Sequence, residues 1–294
     1  MQDTRTPLPR PPAWRGLLQL VRPRQWIKNG FVFAPLIFSG QFMQRPAILH
    51  ALAAFVLFTL AASATYIVND LHDIEQDRQH PKKSRTRPLA AGFVSPRQAI
   101  ALLLVLYAVL GAAWMAAPHV IEVIVLYLLL NLAYSFALKH QPVLDIFTVA
   151  TGFVLRVQAG AVALAVPVSA WMFVTTLCLA LYLAAVKRRQ ELARSGSSGE
   201  TRKVLRHYTV QLVDRYAEMS ATGALVFYSL FVLSSRPQLV VTIPLVLFGL
   251  FRYWYVIETL EGGESPTDAL LADWQLLLTV TLWIAASAWA LWPR

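Results

Sequence analysis

The chain has one cysteine, Cys178, which sits in an apolar run. It allows no internal disulfide, no cysteine-based metal cluster and no redox pair. Charge is scarce too: 14% of the 294 residues are charged, against about 25% in a soluble domain. Acids are scarcer than bases, 16 against 26, which leaves a net charge of +10. The N-terminal MQDTRTPLPRPPAWRG lacks the apolar core and cleavage site of a signal peptide. Residues 1–20 read as a cytoplasmic tail, partly disordered. No HExxH, GxSxG or P-loop pattern occurs, and His72, His80, His140 and His207 show no ligand spacing. There is no extended soluble basic domain, so nucleic acid is a poor partner for the excess bases. An anionic membrane surface or a phosphorylated ligand suits them.

What the chain does have is apolar length. Hydrophobic residues make up 57% of it, and several runs reach the ~20 residues that cross a bilayer. Helices satisfy their own backbone in lipid, so the expected fold is all-α, one polytopic membrane domain over residues 1–294. About nine spans are predicted, near 25–40, 47–68, 98–116, 120–138, 143–164, 169–186, 208–233, 239–257 and 270–292. Ser95-Pro96 reads as an N-cap with proline at the first helical position. Lys187 to His207 reads as a polar loop.

Lys and Arg set the orientation. Six precede or include Lys28, six lie in the loop after span two, and seven in the loop after span six. The alternate loops hold almost none beyond Arg45, Arg236 and Arg294. The N-terminus and the polar loops are therefore expected in the cytoplasm, the C-terminus outside, and the protein in the inner (plasma) membrane. The loop after span eight is acidic, with Glu258, Glu261, Glu264, Asp268 and Asp273, but acids weigh little in topology.

Four groups of polar residues fall at cytoplasmic helix ends. The first is Tyr66 to Gly92, where Asn69, Asp70, Asp73 and Asp77 precede Arg78, Lys82, Lys83, Arg85 and Arg87. At 100° per residue, Asp70, Asp73 and Asp77 point within roughly 60° of one another on a helix, and Glu75 points away. Converging carboxylates resist ionisation unless a cation joins them. Mg²⁺ is the natural one, since it takes oxygen ligands and shares them with substrate phosphates. The bases would hold the remaining phosphate oxygens. The plain alternative is a charged loop between two spans. The second group is Tyr134, Lys139, Asp145 and Arg156. Asp145 and Arg156 share a helix face to within about 20°, as an ion pair or as ligand contacts. The third is Lys187, Arg188 and Glu191, and the fourth is Lys28-Asn29. Basic residues at such helix ends also serve as plain topology signals. Spans one, two, five and six would together line a central polar cavity open to the cytoplasm.

These residues resemble a family. Asn69-Asp70-x-x-Asp73-x-x-x-Asp77 is similar to the first aspartate motif of the UbiA-type intramembrane prenyltransferases, and Tyr134-Ser-Phe-Ala-Leu-Lys139 resembles their tyrosine–lysine element. The resemblance implies about nine helices around a cavity that binds a Mg²⁺-diphosphate. Most members carry a second aspartate-rich motif after the sixth helix. Here that place reads Ala-Val-Lys187-Arg188-Arg189-Gln-Glu191-Leu. One branch, the decaprenyl-phosphate phosphoribosyltransferases, is similar there. It is also similar over Arg22 to Asn29, over LKHQPVLDIF and over Gly263 to Thr279. The branch implies transfer of 5-phosphoribose from 5-phosphoribosyl diphosphate to a polyprenyl phosphate, with Mg²⁺ on Asp70, Asp73 and Asp77. It also implies phosphate contacts from Lys28, Lys82, Lys83, Arg85, Arg87, Arg156, Lys187 and Arg188. A conventional polyprenyl transferase acting on an aromatic acceptor is the alternative enzyme. A transporter is the other class, but no inverted repeat of interrupted helices is present.

Overall fold

The computed structural model describes residues 13–80, 83–198, 203–259 and 266–292. Among these the chain is helical, without strands. Seven segments are long and apolar enough to cross a membrane. They are α3 (Arg45–His72), α6 (Pro96–Ala113), α7 (Pro118–Phe136), α8 (Leu144–Ala163), Ala170–Ala193 within α9 (Ala170–Ser198), α10 (Val210–Ser235), and Pro237–Thr259, which ends in α11 (Ile243–Thr259). Short helices fill the rest: α1 (Ala13–Leu20), α2 (Ala34–Phe38), α4 (Ile74–Gln79), α5 (Lys83–Thr86), α12 (Pro266–Ala272) and the apolar α13 (Trp274–Ala290). The chain is a multi-pass membrane protein. Contacts run around a ring from α3 through α7, α8, α9, α10, α11 and α13 to α2, and back to α3.

The first expected span is built differently from a regular helix. Pro23–Phe33 is a 3₁₀ helix that continues into α2. At about 2.0 Å per 3₁₀ residue and 1.5 Å per α residue, these 16 positions cover about 30 Å. A stretch too short for an α-helical crossing thus reaches the ~30 Å of a hydrocarbon core. The thin segment presses onto α8 at Gly160, where a Cβ would lie 1.9 Å from the Val32 carbonyl oxygen. Only glycine permits that approach.

Two other boundaries moved. The polar loop after span six is helical through Ser198, because α9 continues past Val186. Lys187-Arg-Arg-Gln-Glu-Leu-Ala-Arg is made of good helix formers, and Lys187 and Glu191 pair at i, i+4, 3.9 Å apart. The ninth span is split, since Asp273 ends α12 and caps α13 by accepting from the Leu276 N–H at 2.8 Å. Asp273 also receives Arg252 at 2.7 Å. At α6 the expected cap forms as a capping box: the Gln98 N–H donates to Ser95 Oγ, and the Ser95 N–H donates to Gln98 Oε1.

α3 is 28 residues long, about 42 Å. Its inner face is small (Ala51, Ala54, Ala61, Ala64), so neighbours pack closely around Phe58. Asn69 and Asp70 lie in its last turn.

Candidate functional site

α3 stops before the carboxylate series is complete. Asp73 leaves the helix (φ −93°, ψ 9°), and α4 starts anew at Ile74. The shared helix face expected for Asp70, Asp73 and Asp77 is therefore not formed. Among the described residues no three His, Cys, Asp or Glu side chains gather around one point. Asp70 and Asp77 still meet, through the chain rather than along a helix. Asp70, 2% exposed, receives Arg22 and Arg87, each at 2.5 Å. Arg87 also lies 2.8 Å from Asp77 Oδ2, and Lys83 lies 3.4 Å from Asp77 Oδ1. The Arg87 contact lacks hydrogen-bond alignment, so the buried Oδ2 of Asp77 has no hydrogen-bond donor among the described residues. Asp73 is turned to Lys139, 3.8 Å away. Asn69 accepts from Ser135 at 2.5 Å.

Of the bases after the aspartates, Lys83 and Arg87 face the carboxylates, Arg78 pairs with Glu75 on the surface at 2.8 Å, and Arg85 is exposed. Lys82 lies outside the described residues, as does Glu264. Arg22 was not among the expected site residues, yet it completes the clamp. Its backbone is left-handed (φ 53°, ψ 65°), and its guanidinium lies over the Tyr66 ring at 4.7 Å. A non-glycine residue held there stores strain, a recurrent mark of functional sites.

The second and third groups merge into one network. Asp145, fully buried, receives Arg188 Nε at 2.5 Å and the Tyr208 hydroxyl at 2.6 Å. Arg188 also donates to Glu191 at 2.6 Å and to the Tyr134 hydroxyl at 3.1 Å. Burial and the bond to the Asp145 carboxylate push the Tyr208 phenol above its ordinary range, so it stays a donor. The same hydroxyl accepts from the Val143 N–H at 2.6 Å. Val143 forms a γ-turn (φ 69°, ψ −47°), closed by the Leu144 N–H donating to the Pro142 carbonyl at 2.8 Å. For a β-branched residue this is a strained conformation, and Tyr208 holds it. Tyr208 had no distinguishing pattern in the sequence.

Asp145 and Arg156 do not form an ion pair. They share a face of α8, but eleven residues of rise separate them by about 16 Å. Arg156, 5% exposed, has neutral partners instead. Its Nε donates to Asn29 Oδ1 at 2.9 Å, Nη1 to the Gly152 carbonyl at 2.7 Å, and Nη2 to the Tyr127 hydroxyl at 3.2 Å. Its guanidinium lies 5.0–5.2 Å from the Phe58, Tyr127 and Phe153 ring centroids. The Asn29 amide in turn donates to Thr59 at 3.0 Å. Lys28 lies within electrostatic reach of Lys187, Arg156 and Arg22, and of Asp268. Arg22 links this group of cations to Asp70.

Residues 31–272 match the UbiA prenyltransferase family. The decaprenyl-phosphate phosphoribosyltransferase of Mycobacterium tuberculosis H37Rv is 37% identical over 280 residues, 92% of each chain. That of Mycolicibacterium smegmatis is 36% identical over 92% of this chain and 90% of its own. Among solved structures, a UbiA homologue from Archaeoglobus fulgidus bound to GPP and Mg²⁺ superposes with a TM-score of 0.72 at 19% identity, over 94% of this chain and 99% of that one. A digeranylgeranylglyceryl phosphate synthase gives 0.66 at 16% identity, over 95% and 99%. The solved structures share the fold, the curated relatives share the sequence along nearly its whole length, and the chain belongs to the UbiA prenyltransferase family.

Proposed function

We propose that the chain transfers 5-phosphoribose from 5-phosphoribosyl 1-diphosphate to a polyprenyl phosphate and releases diphosphate. The carrying observation is the grouping of cations: Arg156, Lys187 and Arg22 lie within electrostatic reach of Lys28, and Arg22, with Arg87 and Lys83, covers Asp70 and Asp77. A prenyl diphosphate brings one diphosphate. The proposed donor brings a diphosphate and a further phosphate, and its acceptor brings another.

Mg²⁺ fits the donor set. It is commonly held by one or two carboxylates plus substrate phosphates. Asp70 and Asp77 supply two, and the buried Asp77 Oδ2 lacks a hydrogen-bond donor among the described residues. Asp73 belongs to the set only if the break between α3 and α4 rearranges. Bound there, the ion would neutralise charge on the leaving diphosphate. Arg22, Arg87 and Lys83 leave the carboxylates to hold diphosphate oxygens, with Lys82 and Arg85 on the same segment. Lys28, Arg156 and Lys187 hold the 5-phosphate and the lipid phosphate. Tyr134, Lys139, Asn69 and Asn29 fix the groups around them, and Asp145, Glu191 and Arg188 act as a buried frame. The bond from ribose C1 to diphosphate breaks as that from C1 to the acceptor phosphate oxygen forms. Positive charge at C1 and negative charge on the leaving group grow together, and the cations are placed for the second. The acceptor is already ionised and needs no general base.

One preparation offered both substrate pairs tests this. Lipid-linked phosphoribose is expected, lost in chelator and restored by Mg²⁺. Prenylation of an aromatic acid without lipid-linked ribose would leave the conventional prenyltransferase reading.

The orientation belongs to the same proposal: one inner-membrane domain of nine crossings, with the N-terminus and the site facing the cytoplasm, where a water-soluble donor is made. In a Cys178→Ala background, a Ser84→Cys thiol should react with an impermeant reagent only in inverted vesicles. Reaction in right-side-out vesicles would place the site on the other side.

A further inference from the structure

At the other end of the bundle a cavity of about 390 Å³ opens between α2, the turn joining α8 to α9, and the end of α10. α8 spans 20 residues, about 30 Å, from the Asp145 end to this one. The cavity and the carboxylates are thus separated by the thickness of a hydrocarbon core.

Among its described residues the lining carries one cation, Arg236. Arg236 closes α10, and its Nη2 makes one long hydrogen bond, 3.4 Å, to the Ser39 carbonyl. Among the described residues it meets no carboxylate. A guanidinium has five N–H donors, so most of them face the cavity or water. A cation at a helix C-terminus also complements the negative end of the dipole, but that needs none of those donors. Ser39 and Ser169 also line the cavity, and the Ser39 hydroxyl donates to the Leu36 carbonyl at 3.4 Å. Much of the remaining lining is apolar: Phe38 and Phe231, edge to face at 5.3 Å, and Met172. The volume equals about a dozen waters at ~30 Å³ each. That holds a phosphate with a glycerol-sized neighbour.

We propose that this cavity is a binding site for the phosphate headgroup of a membrane lipid. The phosphate sits on Arg236, with Ser169 in reach, and the first methylenes of the tail lie along Phe38, Met172 and Phe231. A free inorganic anion would use the guanidinium and leave the apolar lining wet. An uncharged lipid would leave the guanidinium without a partner. The occupant that satisfies both the cation and the apolar lining is an anionic amphiphile. None of these residues belongs to the machinery proposed above, so the site and the transferase activity fail or stand separately.

The experiment is native mass spectrometry of the full chain, exchanged into phosphatidylglycerol–phosphatidylcholine nanodiscs and then stripped in mild detergent. The wild type should retain one phosphatidylglycerol per chain. Arg236→Gln should weaken retention about tenfold. Met172→Trp, which fills the space along the apolar lining and leaves Arg236 in place, should do the same. Transferase activity of both variants should match the wild type. Equal retention by all three proteins, or none by the wild type, overturns the site. Loss in Arg236→Gln alone, or displacement by excess inorganic phosphate, assigns a plain anion site and overturns the lipid. If Arg236→Gln does not fold, Met172→Trp decides alone.

Discussion

Arg156 and Arg188 lie on neighbouring helices, α8 and α9, and both are almost fully buried, yet their surroundings are opposite. Arg188 is neutralised twice, by Asp145 and Glu191, and has a hydroxyl from Tyr134 besides. Among the described residues Arg156 meets no carboxylate; its partners are an amide oxygen, a backbone carbonyl, a phenol and three aromatic faces. A buried ion pair is a frame: its charges are spent on each other. A buried cation held by neutral dipoles keeps its field, and that field falls on whatever enters the space beside it. Each contact with an aromatic face offsets part of the desolvation, by about 0.5–2 kcal/mol. Both arginines were expected as phosphate ligands. The geometry supports that role for Arg156 and a positioning role for Arg188.

The comparison is broken most simply by making one change at both places. Arg188→Gln leaves Asp145 buried and without its cation, and removing one partner of a buried pair costs about 3–5 kcal/mol. Its thermal midpoint should fall far below the wild type, or the protein should not survive purification. Arg156→Gln strands no carboxylate but loses buried hydrogen bonds and aromatic contacts, about 1–3 kcal/mol, so its midpoint should fall by less than that of Arg188→Gln. Equal losses at the two positions would show that Arg156 is part of the frame as well.

The next effect is smaller and falls on binding. If Arg156 seats a phosphate, Arg156→Gln loses a charged contact of about 1.5–3 kcal/mol, one to two decades in affinity. Titration of the folded variant with 5-phosphoribosyl diphosphate and with a short-chain polyprenyl phosphate reads this directly. An unchanged dissociation constant for both would remove Arg156 from the site.

How much of this was legible in the chain divides along physical lines. Apolar length and Lys/Arg asymmetry are properties of whole segments, so α3, α6, α7, α8, α10 and α11 were recoverable to within a few residues. The cap at Ser95 is a local pattern with a local consequence. The break at Asp73 was less visible. Asp73 and Gln76 have capping-box spacing, but the first cap bond is not made. The 3₁₀ geometry of Pro23–Phe33 depends on the backbone of α8 at Gly160, more than a hundred residues away. The tethers that Arg22, Tyr127 and Tyr208 supply come from tertiary packing, and no spacing announces them. The Asp145–Arg156 pairing failed because angle on a helix was read without rise.

The smallest expected effect is the sharpest, because it turns one region into the other. Asn29→Asp changes one amide to a carboxylate at nearly constant shape, 2.9 Å from Arg156 Nε. It gives Arg156 the counterion that Arg188 already has. The other oxygen would face Thr59, now the acceptor from the Asn29 amide at 3.0 Å. A threonine hydroxyl can rotate and donate instead, so no buried group is stranded. Stability should hold or rise. Donor affinity should fall, since the guanidinium field is partly cancelled, but by less than in Arg156→Gln, about one decade or under. The change should also be silent in an Arg156→Gln background, where there is no field left to cancel. A double-mutant cycle isolates that coupling. If Asn29→Asp weakens donor binding equally with and without Arg156, Asn29 touches the substrate itself, and the two arginines differ less than their partners suggest.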